Sequence, residues 1–351
     1  MNEIQSRDPV RTLVVDDAPL MRRVIQDILS RDDGIELVGT AANGQECLDR
    51  ILELRPDVVT LDIDMPVMNG ITTIKNIMVR HQIPIVVISS LIQDGYFAFE
   101  ALRLGVVDFV PKPSRVSPEG WVDQEELVRT RVRLGSQMRV QRVRRVRWRK
   151  RNGVHDLLDT PAHAVIVMGT TLAGPNTIMR IVTQLPCEFK GTLIAVQEIH
   201  PKILEPFCSY FNDISPLEVV PITGVQPLKS GRIYLGSTHN GLRIRPAREG
   251  SDEHVVEVAG PADLPIDQLF ETAADHFRQH TCGILLTGVG ADGTGGMKTI
   301  RAGGGFTIAQ KLDSCAYPNL VEHALKEKVA DALMSVKEIS EFFQCWASSR
   351  L

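Results

Sequence analysis

PDVVTLDIDMPVMNG, residues 56–70, begins as a short, β-branched apolar run, stops on an acid and breaks into a turn. A run of this length and composition predicts a buried strand ending at Asp62, with a helix after the turn through Ile71–Val79. Upstream, RTLVV (Arg11–Val15) ends the same way, on Asp16-Asp17. Leu20, Val24, Ile25, Ile28 and Leu29 then have helical spacing up to Ser30, a strand is expected around Glu36–Val38, and a helix starts near Asn43. Downstream come IPIVVISS (Ile83–Ser90), a helix through Phe97–Leu104 stopping at Gly105, and VVDFV (Val106–Val110), closed by Pro111-Lys112-Pro113. Five strands alternating with helices predict an α/β domain with a doubly wound parallel sheet over residues 1–113.

The chain has 351 residues, too many for one ordinary core. At 43% apolar and 23% charged it reads as globular, and no apolar run reaches membrane-spanning length. MNEIQSRDPV lacks an export-type apolar segment, so a cytoplasmic location is expected. Six cysteines without a C-x-x-C pair argue for reduced thiols rather than metal binding or a disulfide framework. Between Arg129 and Arg151 stand eleven Arg or Lys residues and no acid, in a chain of net charge −4. With Leu127, Val128, Val132, Val140, Val143 and Val146 at spacings of three and four, residues 114–159 are expected to be a linker carrying a basic amphipathic helix. No groove-reading motif accompanies the charge, which argues against nucleic acid as a partner. Residues 160–351 alternate again: HAVIVMG, GTLIAVQ, SGRIYLG, CGILLTG and GGFTIAQ read as strands, TTLAGP opens a helix with Pro175 in its first turn, and His254–Ala259 suggests a hairpin on the edge of the sheet.

Asp16, Asp17 and Asp62 all fall at carboxyl ends of expected parallel strands, where such sheets form their ligand crevice. Three crowded carboxylates call for a cation, and an all-oxygen set suits Mg²⁺. Ser89 ends the fourth strand and Lys112 follows the fifth, so a hydroxyl and an ammonium reach the same rim. A carboxylate nucleophile, a divalent ion and a lysine are what phosphoryl transfer requires. Each acid alone would read as a capping or solvated side chain; the ordered set would not.

VVDDAPLMRR, TLDIDMPVMNG, VISS and DFVPKP resemble the response-regulator receiver family, whose fold is flavodoxin-like. The resemblance implies an aspartyl phosphate on Asp62. It implies Mg²⁺ against Asp17 and Asp62, with Asp16 nearby and the backbone carbonyl of Asp64. Ser89 and Lys112 would read the phosphate, and Phe109 stands at the aromatic switch position. VGTAANGQECLDRI, IYLGSTHNGL and ILLTGVGADGTGGMKTIRAGGGFTIAQ are similar to the CheB protein-glutamate methylesterase family. That likeness implies a doubly wound methylesterase-like second domain which hydrolyses glutamyl methyl esters, and deamidates glutamines, on methyl-accepting chemoreceptors. It also implies a chemotaxis histidine kinase as phosphodonor and a receiver that represses the second domain until phosphorylated.

The catalytic positions depart from that family. Its serine turn, G-x-S-T-G-G-P, reads here Gly169-Thr170-Thr171-Leu172-Ala173-Gly174-Pro175, so Thr171 holds the nucleophile position. Its histidine stretch reads Val196-Gln197-Glu198-Ile199-His200-Pro201, which puts Glu198 at the base position and His200 two residues on, as a possible substitute base. The aspartate is kept as Asp292. A hydroxyl nucleophile needs a base that takes and returns a proton near neutral pH. These substitutions therefore point to a chemistry reduced, altered or lost on a retained fold, or to a non-catalytic domain whose partner binding the receiver gates. A rival reading takes Gly288–Gly293 as a dinucleotide-type G-x-G-x-x-G with Asp313 as the ribose acid; the methylesterase likeness accounts for the same residues.

Overall fold

The computed structural model describes residues 8–90, 95–112, 118–143, 146 and 160–349. Its chain divides into two compact units, Met1–Gln141 and Arg142–Leu351.

The first unit runs β1 (Val10–Val15), α1 (Pro19–Leu29), β2 (Ile35–Ala41), α2 (Gly44–Leu54), β3 (Val58–Leu61), α3 (Gly70–Asn76), β4 (Ile85–Ser89), α4 (Gly95–Leu104), β5 (Asp108–Pro111) and α5 (Pro118–Ser136). The strands form one parallel sheet in the order β2-β1-β3-β4-β5. Chain order reverses between β1 and β3, which is where a doubly wound sheet opens its crevice. The helix starts follow local chemistry. Asn43 caps α2 by accepting from Glu46 N at 3.0 Å, while Glu46 accepts from Ala42 N at 2.8 Å. Asn69 caps α3 through Thr72 N at 2.9 Å. The helix expected through Val79 ends earlier, at Asn76, and passes into a π turn over Ile77–His81.

The expected linker helix is placed differently. Its first part is α5, and α5 belongs to the first unit. Val128 and Val132 are fully buried, and Gly135 lets the helix approach closely, since a methyl there would press on Val86 and Val58. Arginines that read as linker charge are paired with acids, Arg131 with Asp108 at 2.9 Å and Arg133 with Asp32 at 3.1 Å, and the buried Glu125 of α5 takes Arg31 at 2.6 Å. The apolar spacing was the signature of a docking face. Residues 113–117, 144–145 and 147–159, which hold most of the remaining basic block, lie outside the described residues.

The second unit contains β6 (Val165–Gly169), α6 (Gly174–Val182), β7 (Thr192–Gln197), α7 (Pro201–Asn212), β8 (Glu218–Pro221), β9 (Gln226–Pro227), β10 (Arg232–Ser237), β11 (Gly241–Pro246), β12 (His254–Gly260), α8 (Pro265–Phe277), β13 (Thr281–Leu285), α9 (Thr294–Ala302), β14 (Phe306–Gln310), α10 (Asn319–Lys326), β15 (Ala332–Met334) and α11 (Val336–Ser349). Seven parallel strands lie in the order β15-β14-β13-β6-β7-β10-β8. Val165, Val167, Ile194 and Val196 on one face pack with Ile266, Leu269 and Phe270 of α8 in a buried cluster. His254–Gly260 is antiparallel as expected, but it is not on the edge of this sheet. It pairs with β11 and β9 in a separate three-stranded sheet that packs on α8. No described helix is long and apolar enough to cross a membrane.

Candidate functional site

In the first unit, β1 delivers Asp16 and Asp17, and β3 delivers Asp62, to the switch point. Carboxylate oxygens of the three lie within 4.8 Å of one another, with Asp16 and Asp62 buried and Asp17 exposed. Lys112, just past β5, places Nζ 2.7 Å from Asp16 Oδ2 and 2.6 Å from Asp62 Oδ2. Its backbone N donates to the Ser89 carbonyl at 3.2 Å, which ties the lysine to the end of β4. Burial pushes the Asp16 carboxyl above its usual range; Lys112 and the Ala18 amide oppose that, and Asp62 adds to it. For Lys112, burial works to lower the pKa, but hydrogen bonds to Asp16 and Asp62 outweigh it, so the ammonium is held above its ordinary value. Asp62 Oδ1 also accepts from Ile63 N at 2.7 Å. Asp64 has an exposed side chain that does not join the three acids, and Phe109 is buried in β5 beside Val87. The donor set is all oxygen and anionic, which is the chemistry a hard divalent cation takes.

In the second unit, Thr171 leaves β6 at the point where the sheet's winding reverses toward β13. Its hydroxyl is engaged twice by one residue: Oγ1 accepts from Val289 N at 2.7 Å and donates to the Val289 carbonyl at 3.1 Å. Among the described residues these are its hydrogen bonds; neither Glu198 nor His200 reaches it. The neighbouring Thr170 donates to the Thr287 carbonyl. Gly288 makes this close seat possible, because a methyl there would collide with Thr171 Oγ1. That is a packing role for a glycine of the G-x-G-x-x-G run. Ala173, before α6, sits at φ 58°, a left-handed conformation costly for an L side chain.

Glu198, at the expected base position, follows the end of β7 and is half-buried, while Asp292 and the substitute candidate His200 are engaged at helix starts. Asp292 accepts from Ile266 N at 2.8 Å and Asp267 N at 2.9 Å. These are the first free amides of α8, whose N-cap is Leu264 and has no acceptor of its own. Asp267 in turn accepts from Gly296 N of α9 at 2.6 Å, so two helix starts are capped by acids from each other's neighbourhood. Burial raises the Asp292 carboxyl, the two amides pull it back, and the charge of Asp267 adds to the rise. His200 caps α7, its Nδ1 accepting from Lys202 N at 3.2 Å, and its ring meets His239 edge-on with centroids 5.7 Å apart. Burial lowers the His200 pKa, with help from His239 and Lys202.

A family model described as CheB methylesterase matches residues 166–343, and one described as response regulator receiver domain matches residues 12–118. A protein-glutamate methylesterase/protein-glutamine glutaminase of Clostridium acetobutylicum is 30% identical over 340 residues, covering 95% of this chain and 96% of that protein. A protein of the same name from Archaeoglobus fulgidus is 32% identical over 340 residues, again covering 95% and 96%. The chain belongs to the CheB methylesterase family. The crystal structure of the Thermotoga maritima CheB methylesterase catalytic domain covers 51% of the chain and 96% of its own length, at 23% identity and TM-score 0.48.

As a CheB-family chain it is a chemotaxis response regulator in type, with a receiver domain ahead of a methylesterase domain. Two contacts at its sites were not expected from the residues. Val289 acts on Thr171 through backbone atoms, which leave no mark in composition. Arg22 binds the backbone of the acid pair, and its signal was present: an arginine one turn into the helix that follows two acids.

Proposed function

We propose that this chain is a phosphorylation-controlled chemotaxis regulator whose receiver works and whose methylesterase domain hydrolyses slowly or not at all. Asp62 accepts the phosphoryl group: a carboxylate oxygen attacks phosphorus as the bond to the donor breaks, with a chemotaxis histidine kinase as donor. Asp17 and Asp62 would hold Mg²⁺, with Asp16 and the Asp64 carbonyl beside it. When bound, that ion supplies neutralising charge to the phosphoryl oxygens. Lys112 supplies a second positive charge at the same carboxylate, Ser89 reads the phosphate, and Phe109 relays the change.

The second domain acts on, or binds, methylated chemoreceptors. Thr171 is the residue that carries the proposal of reduced chemistry. Its proton goes to the Val289 carbonyl rather than to a base, and its lone pair takes the Val289 amide. A nucleophile needs the opposite arrangement, with its proton on a basic side chain. Asp292, spent on α8, favours the stronger form in which the domain is a gated binding module without turnover.

Methanol release from methylated receptor, measured with the receiver phosphorylated, tests this. The expected result is a rate far below that of a family member with serine and histidine in place. A comparable rate would overturn the proposal. Thr171→Ser with Glu198→His then asks whether the two substitutions alone account for the loss.

A further inference from the structure

Arg22 is a charged side chain bonded to the acid pair that the phosphoryl chemistry leaves unused. It stands in the first turn of α1 and is half-buried, while its neighbour Arg23 is exposed. One nitrogen does the work: Nη1 donates to the Asp16 carbonyl at 2.5 Å and to the Asp17 carbonyl at 3.0 Å. Around it, Asp16 N donates to the Ala41 carbonyl at 3.2 Å, and Asp16 Oδ1 accepts from Ala18 N at 2.9 Å. The strand therefore fixes one end of the acid pair and the Asp16 side chain fixes the turn. Among these contacts, Arg22 is what holds the peptide carbonyls of both acids together.

We propose that Arg22 is a positioning residue of the divalent-cation site. It does not contact the cation. It pins the backbone that carries Asp16 and Asp17, so that their carboxylates stay within reach of Asp62. The inference rests on reading Asp16, Asp17 and Asp62 as a cation site, and it predicts an effect opposite in sign to simple electrostatics. A guanidinium beside a cation site repels the cation, so by charge alone its removal should tighten binding. If Arg22 positions the acids, its removal loosens binding instead.

The experiment is a calorimetric Mg²⁺ titration of the full chain and of three variants. Arg22→Met should weaken Mg²⁺ binding about tenfold, the equivalent of one charge-assisted hydrogen bond lost. Arg22→Lys keeps a single nitrogen able to serve two carbonyls and should recover binding to within about threefold. The loss should persist at high salt, where through-space charge effects are screened. Asp17→Asn should abolish the titration. If Asp17→Asn binds like the parent chain, the cation-site reading itself fails. If Asp17→Asn loses binding while Arg22→Met binds equally or more tightly, the site stands and the role of Arg22 is refuted. Should Arg22→Met lose its cooperative melt, Arg22→Gln replaces it, since glutamine removes the charge and is too short to span both carbonyls.

Discussion

Thr171 and Asp62 occupy equivalent places in two sheets, each just past a strand next to the winding reversal, yet their surroundings differ. Asp62 faces other ionisable groups, and Asp62→Asn should abolish aspartyl labelling by a small phosphodonor; acid-labile label that survives the change would count against Asp62 as acceptor. Thr171 faces a backbone. If its hydroxyl is structural, Thr171→Val leaves the Val289 amide without its partner and costs about 1–2 kcal/mol in urea unfolding. Any residual esterase rate should then be unchanged, whereas a rate that vanished with the hydroxyl would restore Thr171 as nucleophile. Ala173 tests strain at the same turn. With φ at 58°, Ala173→Gly should raise stability by about 1 kcal/mol, the left-handed penalty less the entropy glycine adds to the unfolded chain. These two threonine and alanine positions were legible as departures from the serine turn. The consequence for Thr171 was not, because it depends on a loop over a hundred residues away.

At the scale of elements, Asp292 and His200 behave as helix caps. Asp292→Ala strips two amides of α8 and should cost about 1–2 kcal/mol, while Asp292→Asn, which can still accept, should cost less. His200 gives α7 a cap that depends on pH. Its folded pKa lies below the ordinary value because of burial, His239 and Lys202. As pH falls, the unfolded chain therefore takes the proton first. The contribution of His200 is intact above about pH 6.5 and declines as pH drops toward the lower folded value. Thermal melts between about pH 7 and pH 5 should show this loss, and His200→Asn, a cap that does not titrate, should flatten that part of the profile. An unchanged slope would mean that other groups set the acid sensitivity. The helix itself was readable from Pro201 and the apolar spacing after it. The histidine's role was not, because a capping bond and a catalytic bond use the same ring nitrogen.

For the whole molecule, the question is where the first folding unit ends. If α5 completes it, a fragment ending at residue 141 should melt cooperatively. One ending at residue 113 should lose stability, because the sheet face that receives Val128 and Val132 is uncovered; within the longer fragment, Val132→Ala should cost on the order of 2 kcal/mol. Equal stability of the two fragments would restore the earlier boundary. The amino-acid sequence alone determined the α/β alternation, the convergence of Asp16, Asp17 and Asp62 on one rim, and the family. Strand period, β-branching and acids at strand ends are local, and a parallel sheet brings its carboxyl ends together whatever else it does. Tertiary structure decided the rest: that α5 docks rather than links, that Thr171 bonds to Val289, that Asp292 and His200 cap helices, and that Arg22 grips the acid pair. Each of these is a contact between groups distant in sequence or made through backbone atoms, and neither leaves a periodic trace in the chain.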